Sequence, residues 1–297
     1  MPNVGRAKLQ LSEMAQTEIS DAAGTLATTA YVFLCQPELI TEPALLMRYE
    51  ALLDVTERSR LARFHNARDA RTFLIAHALV RTTLSQFADT HPHEWRFRTN
   101  EFGRPEIAGP AGAGTLRFNL SHCDSLIVCL VAAGVEPGVD VEEICGADDL
   151  LELADRYFSP SEVAALRSCP SDTTDRFFAL WTLKEAYIKA RGMGVAIPLD
   201  KFSFSFCNER VAIRFDPELA DQADDWTFTL ERPLPSHFVA IALRHVPTGT
   251  QRRLIFRRIV PLIGLGTALP RCLIASSTPI AATADRRLRK SEATLRS

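Results

Sequence analysis

Phe177-Phe178-Ala179-Leu180-Trp181-Thr182-Leu183-Lys184-Glu185-Ala186-Tyr187-Ile188-Lys189 reads as a helix, and Gly138-Val139-Asp140-Val141-Glu142, upstream of it, reads as a strand. In a strand, residues two apart point to the same side. Val139 and Val141 therefore face a core while Asp140 and Glu142 project together. On the helix, Glu185 and Lys189 are one turn apart in the order that favours an ion pair, worth only ~0.3–0.5 kcal/mol at a surface. Phe177, Leu180, Trp181 and Ile188 bury one side of that helix and so fix the direction of Glu185. Gly192 and Gly194 then stop it. Three carboxylates with lysines nearby, and no His/Cys cluster, make a cradle for a hard ion such as Mg²⁺ or Mn²⁺ rather than zinc.

Outward from this core the chain divides in two. Tyr31-Val32-Phe33-Leu34 reads as a first strand, followed by a helical region from Pro43 to Ala88. Within it Phe73, His77, Val80, Leu84 and Phe87 recur at helical spacing, and Asn66 is placed to cap the second helix. Short strands follow around Trp95–Arg98, Leu116–Leu120 and Leu126–Ala132, with a junction at 134–138. The second half repeats the pattern, with helices near 147–157, 161–167 and 173–190. Strands near 202–206, 211–215, 226–231 and 238–243 follow. The expected fold is α+β, two similar lobes of helices packed on a mainly antiparallel sheet and related by a pseudo-two-fold. The expected organisation is a loose leader over 1–30, lobes over 31–135 and 136–247, and a basic, disordered tail over 248–297.

Bulk properties set limits. Hydrophobic residues make up 46% of the 297 and charged residues 24%, with a net charge of −2. Residues 250–297 carry +8 of that charge, which leaves a mildly acidic body without the basic face of a nucleic-acid binder. No signal peptide is apparent, and the apolar stretch Leu254–Ala275 is interrupted by arginines, too short to span a bilayer. The seven cysteines are scattered with no CxxC pair, which favours reduced thiols in the cytoplasm over disulfides or a zinc site.

Other residues invite a role. Asn119-Leu120-Ser121-His122 ends a strand at a hairpin, where ligand contacts concentrate. Arg60, Arg63, Arg68 and Arg71 offer either a solvated helix or a guanidinium fork for phosphate. A serine hydrolase built on Ser121 and His122 is excluded, since neighbours in a strand point oppositely and no GxSxG elbow exists.

Taken in order, Arg71-Thr72, Phe102-Gly103-Arg104-Pro105, Phe118-Asn119-Leu120-Ser121-His122, Gly138–Glu142 and Trp181–Lys189 resemble the 4′-phosphopantetheinyl transferase superfamily, in its long two-lobed type. The resemblance covers residues 31 to 245. It implies a monomeric enzyme that moves the phosphopantetheine arm of coenzyme A onto a serine of an apo acyl, peptidyl or aryl carrier protein, releasing adenosine 3′,5′-bisphosphate. It implies Asp140, Glu142 and Glu185 as Mg²⁺ ligands, Lys189 at the pyrophosphate, and Lys184 beside the metal-ligand glutamate as a further catalytic group. Arg71, Thr72, Arg104, Pro105, Ser121 and His122 match positions around the nucleotide, with Arg60 a further phosphate contact. Glu57 departs from the family, standing where a lysine is frequent. Glu185, or a metal-bound water near it, is the candidate base. The alternatives are another Mg²⁺-dependent phosphoryl enzyme and a non-catalytic module that binds coenzyme A or a carrier.

Overall fold

The chain alternates strands and helices so that each sheet has one face to cover with helices and one to cover with the other sheet. The computed structural model describes residues 26–111, 113–146, 149–168, 170–244, 252–265 and 273–277. The first lobe runs β1 (Thr29–Cys35), α1 (Pro43–Leu52), α2 (Val55–Leu61), α3 (Ala67–Leu84), then the pairs β2 (Arg96–Thr99), β3 (Pro105–Gly109) and β4 (Leu116–His122), β5 (Ile127–Ala133). The second repeats the order: β6 (Glu136–Glu143), α4 (Leu150–Tyr157), α5 (Pro160–Arg167), α6 (Thr173–Arg191), β7 (Phe202–Cys207), β8 (Arg210–Phe215), β9 (Trp226–Leu234) and β10 (His237–Arg244). In each lobe the first strand pairs antiparallel with the last, β1 with β5 and β6 with β10. The chain crosses from one sheet to the other at Gly134–Val135.

Strand periodicity explains the layers. Phe33 and Cys35 of β1 and Ile127, Cys129 and Val131 of β5 face α1 and α3 in one core. The alternate residues Ala30, Val32 and Leu34, with Val128, Leu130 and Ala132, face the other way. There they meet Val139 and Val141 of β6 and Val239, Ile241 and Leu243 of β10. The two sheets thus lie back to back with helices outside. Strand β5, buried on both faces, accordingly has no alternation of polar residues.

Local signals set the helix ends. Asn66 accepts a hydrogen bond from the Arg68 backbone N–H to start α3. Capping boxes start α2 (Asp54, Glu57) and α5 (Ser159, Glu162). Gly192, at φ +66°, ends α6 in the left-handed conformation.

The disordered tail expected from residue 248 does not hold for two segments. Strand β11 (Arg253–Val260) runs parallel to β1, from Thr29↔Arg253 to Leu34↔Arg258, with β12 (Gly264–Leu265) beyond it. Strand β13 (Leu273–Ser276) enters the second sheet between β9 and β8. The physical reason is the edge of β1, whose backbone donors and acceptors need a partner on the side away from β5. Tyr49 adds a tie, donating to the Pro261 carbonyl at 2.8 Å. The leader likewise gives way to β1 at Thr29; residues 1–25 and 278–297 lie outside the described residues.

Candidate active site

The quoted strand and helix pack directly on each other. Residues 138, 140 and 142 of β6 share the face toward α6, and the helix descends past them from Ala190 to Trp181. Gly138 makes the approach possible: a Cβ there would lie 2.0 Å from the Ala186 carbonyl oxygen and 2.5 Å from the Ala190 nitrogen. One step along, Asp140 meets Lys189, and the next, Glu142, meets Trp181.

Asp140 is 3% exposed. Its Oδ1 accepts from Lys189 Nζ at 2.6 Å and from Ser121 Oγ at 2.9 Å. Among the described residues its Oδ2 is buried with no hydrogen-bond partner. Ser121 also accepts from Lys189 Nζ at 2.8 Å and from the Val141 N–H at 3.3 Å, so β4 of the first lobe holds the lysine of the second. Lys189 therefore pairs with Asp140 of β6, beside Ser121 of the first lobe, rather than along its own helix with Glu185. Trp181 Nε1 donates to Glu142 Oε1 at 3.1 Å. Burial, then the neighbouring Asp140, push the Glu142 carboxyl up to about 7, against the pull of Lys189 and Trp181; Glu185 adds a further upward push. Burial and Asp140 likewise raise the Glu185 carboxyl above its usual range.

This arrangement fits a hard divalent cation: three carboxylates short of positive charge, one with an unpartnered buried oxygen. It is looser than a closed cage. Among the described residues the three carboxylates do not bring their oxygens within 4.8 Å of one another, and the trio that does is Cys123, Glu143 and His237.

A cleft of about 550 Å³ opens beside these acids. Phe102, Arg104 and Pro105 of the first lobe and Glu185, Ile188 and Lys189 of α6 contribute to its wall, with Leu199 and Asp200 beyond the helix. Asn100 and Arg104 hold the first-lobe turn against the end of α6. Asn100 Nδ2 donates to the Gly192 carbonyl at 2.8 Å, and Arg104 Nη1 to the Ala190 carbonyl at 3.0 Å. Arg104 Nη2 donates to the Pro137 carbonyl at 3.1 Å, and its Nη1 lies 3.1 Å from Glu136. A side chain at residue 192 would meet Arg104 Cδ at 3.0 Å, so glycine is required there for space as well as for φ. Both amino groups of Arg104 are thus spent on the protein itself, while its Nε is buried with no partner among the described residues.

Lys184, expected as a catalytic group, points away from the cleft. Its Nζ is wholly buried, 2.8 Å from Glu162 Oε2 and 2.7 Å from the carbonyls of Leu199 and Phe202, above the Phe202 ring. Adjacent helical residues lie about 100° apart, so Lys184 and Glu185 cannot share a wall. Arg60 stacks over Phe73 and Thr72 is buried in α3. Neither these two nor Arg71 lines the cleft. His122 is exposed beside it, its imidazole held below the usual range by partial burial and then by the Lys189 ammonium. Glu57 is a fold residue: its Oε2 accepts from Arg81 at 2.6 Å and its Oε1 bonds His77 Nδ1 at 2.8 Å.

Three contacts of the site were not legible in the sequence. Asn119 accepts from the Val139 N–H at 2.8 Å and so fixes β4 to β6, and Asn100 closes the turn on Gly192. Trp181 orients Glu142; a buried indole N–H needs an acceptor, which was the available signal.

Carboxylates and a lysine thus stand at a cleft between two lobes, and comparison with known proteins identifies the chain as a transferase. Residues 42–134 match the family described as "4'-phosphopantetheinyl transferase, N-terminal", and residues 136–242 match the "4'-phosphopantetheinyl transferase superfamily". The chain is 34% identical over 158 residues to "4'-phosphopantetheinyl transferase Sfp" of Bacillus subtilis, covering 52% of this chain and 67% of the relative. It is 35% identical over 147 residues to "4'-phosphopantetheinyl transferase HetI" of a Nostoc species, covering 49% and 62%. A "Phosphopantetheinyl transferase" of a Thraustochytrium species is 30% identical over 210 residues, covering 67% and 72%. The chain belongs to the 4′-phosphopantetheinyl transferase superfamily, in the long form to which Sfp belongs. Among the described residues no helix is long and apolar enough to cross a membrane.

Proposed function

We propose that the chain transfers the 4′-phosphopantetheine arm of coenzyme A to a serine hydroxyl of an apo acyl, peptidyl or aryl carrier protein, releasing adenosine 3′,5′-bisphosphate, and that Asp140, Glu142 and Glu185 hold the Mg²⁺ it uses. The observation that carries this is the unfinished pair at the seam. Lys189 satisfies one oxygen of buried Asp140 and leaves the other with no partner among the described residues, beside two carboxyls raised by burial and by Asp140. A divalent cation there supplies the positive charge that a pyrophosphate needs during attack.

The remaining work falls to the side chains. Ser121 and Asp140 aim the Lys189 ammonium at the cleft, where it stabilises charge on the departing bisphosphate. Glu185, its carboxyl raised by burial and then by Asp140, accepts the proton of an incoming serine. Trp181 keeps Glu142 from turning away. His122, exposed beside the cleft, faces the nucleotide, and Pro105 walls the cleft. Arg104 shapes that wall by clamping the lobes, which repeat one topology and are read as pseudo-two-fold related. The enzyme is read as a cytoplasmic monomer.

The test incubates the full chain with coenzyme A and a panel of apo carriers, with Mg²⁺ or with EDTA, and weighs the carriers by mass spectrometry. At least one carrier should gain the phosphopantetheine mass, the gain should vanish in EDTA, and Mg²⁺ or Mn²⁺ should restore it. No gain on any carrier sinks the transfer reading. A gain indifferent to EDTA sinks the metal assignment alone.

A further inference from the structure

A second group of chemistry-bearing side chains stands at the lobe seam, on the other face of β6. Glu143 shares the side of the strand that carries Val139 and Val141, opposite to Asp140 and Glu142. It is the cross-strand partner of His237, the first residue of β10. Cys123, just past the end of β4, brings a thiol from the first lobe. One ligand atom from each of the three lies within 4.8 Å of the others, and His237 Nε2 is 3.7 Å from Glu143 Oε2.

We infer that Cys123, Glu143 and His237 form a binding site for a borderline transition-metal ion of the Zn²⁺ class, separate from the carboxylate site and stapling the β4–β5 turn of the first lobe to the second-lobe sheet. The donor set is one sulfur, one imidazole nitrogen and one carboxylate oxygen, a mixture suited to zinc or cobalt and poor for Mg²⁺. The spacing is close to what such an ion requires. Tetrahedral bonds of about 2.0–2.3 Å separate ligand atoms by roughly 3.3–3.8 Å. The imidazole is already so placed, and the remaining adjustment falls to two partly exposed side chains at strand ends.

The surroundings are those of a built site. His237 is 3% exposed, and its Nδ1 lies 3.0 Å from Ser236 Oγ. That hydroxyl can accept a hydrogen bond from Nδ1–H and leave Nε2 free to ligate, the support that metal-binding histidines usually have. Ser125 Oγ stands among the ligands, 2.7 Å from both Glu143 Oε2 and His237 Nε2 and 3.8 Å from Cys123 Sγ. It bridges groups that a cation would bridge instead, swinging aside on binding while the Cys123 thiol gives up its proton to solvent. Cys123 is a free thiol. Its neighbours in sequence are His122 and Asp124, and Ser121 two residues back holds Lys189, so an ion here would stiffen the wall of the cleft without entering it.

Cobalt is the probe, because a thiolate ligand gives Co²⁺ a charge-transfer absorption that carboxylates cannot. Metal-free full-length protein is titrated with Co²⁺ in excess Mg²⁺. The expected result is one equivalent with a saturable thiolate band, displaced by Zn²⁺, and a rise in melting temperature with either ion. Cys123→Ser should abolish the band, Glu143→Gln should weaken Co²⁺ binding at least tenfold, and Cys145→Ser, an exposed thiol nearby, should leave both unchanged. Circular dichroism confirms that each variant is folded, and Glu143→Gln leaves the buried residues untouched. Absence of a thiolate band in the unmodified protein, its survival in Cys123→Ser, or its loss in Cys145→Ser overturns the assignment.

Discussion

Two lysines five residues apart on α6 each pair with a carboxylate from another element, and they end in opposite conditions. Lys184 and Glu162 are both wholly enclosed, and both carboxylate oxygens are occupied: Oε2 takes Lys184, and Oε1 accepts the Phe204 N–H at 2.8 Å. Lys189 keeps 29% of its side chain exposed at a cleft, and Asp140 keeps a buried oxygen without a partner. The first pair is closed and fastens α6 to α5 and β7. The second is open, and an open polar pair next to a cleft is poised for charge that arrives with a ligand. One pair is enclosed and saturated, and the other is open to the cleft and unsaturated.

The largest effect should come from breaking the closed pair. Lys184→Met strands the Glu162 carboxylate in the core and should cost about 3–5 kcal/mol of stability by denaturant titration, while the molecules still folded transfer normally. Unimpaired stability would place Lys184 in a different state from the one described. Breaking the open pair should do the reverse. Asp140→Asn should lower kcat/KM for transfer by about 10²–10³, or ~2.7–4 kcal/mol at the transition state, and leave the melting temperature nearly unchanged. A large loss of stability with retained activity would erase the contrast.

A third pair, Glu57 with Arg81, extends the comparison to the first lobe. Hydrogen bonds from His77 and the Asp54 N–H, with Arg81, outweigh burial and hold the Glu57 carboxyl at about 2 against an ordinary 4.5. A depressed carboxylate stabilises the fold above its unfolded pKa. Its contribution, about 3 kcal/mol, is therefore present above about pH 4.5 and lost as the pH falls toward 2. Unfolding free energies measured across that window should fall less steeply in Glu57→Gln than in the parent protein. Identical slopes would remove Glu57 from the acid response.

Strand and helix periods were legible because they are local. Val139/Val141 against Asp140/Glu142, the Asn66 cap and the Gly192 stop all follow from residues within a few positions. Two kinds of information were not local. The partner of Lys184 lies 22 residues upstream in a capping box, and the Arg104 fork closes on carbonyls of the other lobe. Neither leaves a mark in the spacing around the lysine or the arginine. Gly138 falls where the expected junction meets the strand, and nothing near it in sequence signals that its missing side chain lets α6 approach β6. The strand Arg253–Val260 was invisible for another reason: its Arg257 and Arg258 sit mid-strand on a half-buried edge, so it lacks the alternation that marks a strand with one dry face.

That strand has a consequence for how the protein is made. The first-lobe sheet receives β11 from residues more than two hundred positions beyond β1, so a nascent chain that has emerged through β5 presents β1 with an open edge. Until translation delivers Arg253–Val260, that edge is available to any other extended chain. Slow passage over the intervening second lobe would prolong the exposure. A fragment cut at the bend between the lobes would carry it permanently, and should be recovered from inclusion bodies rather than from the supernatant.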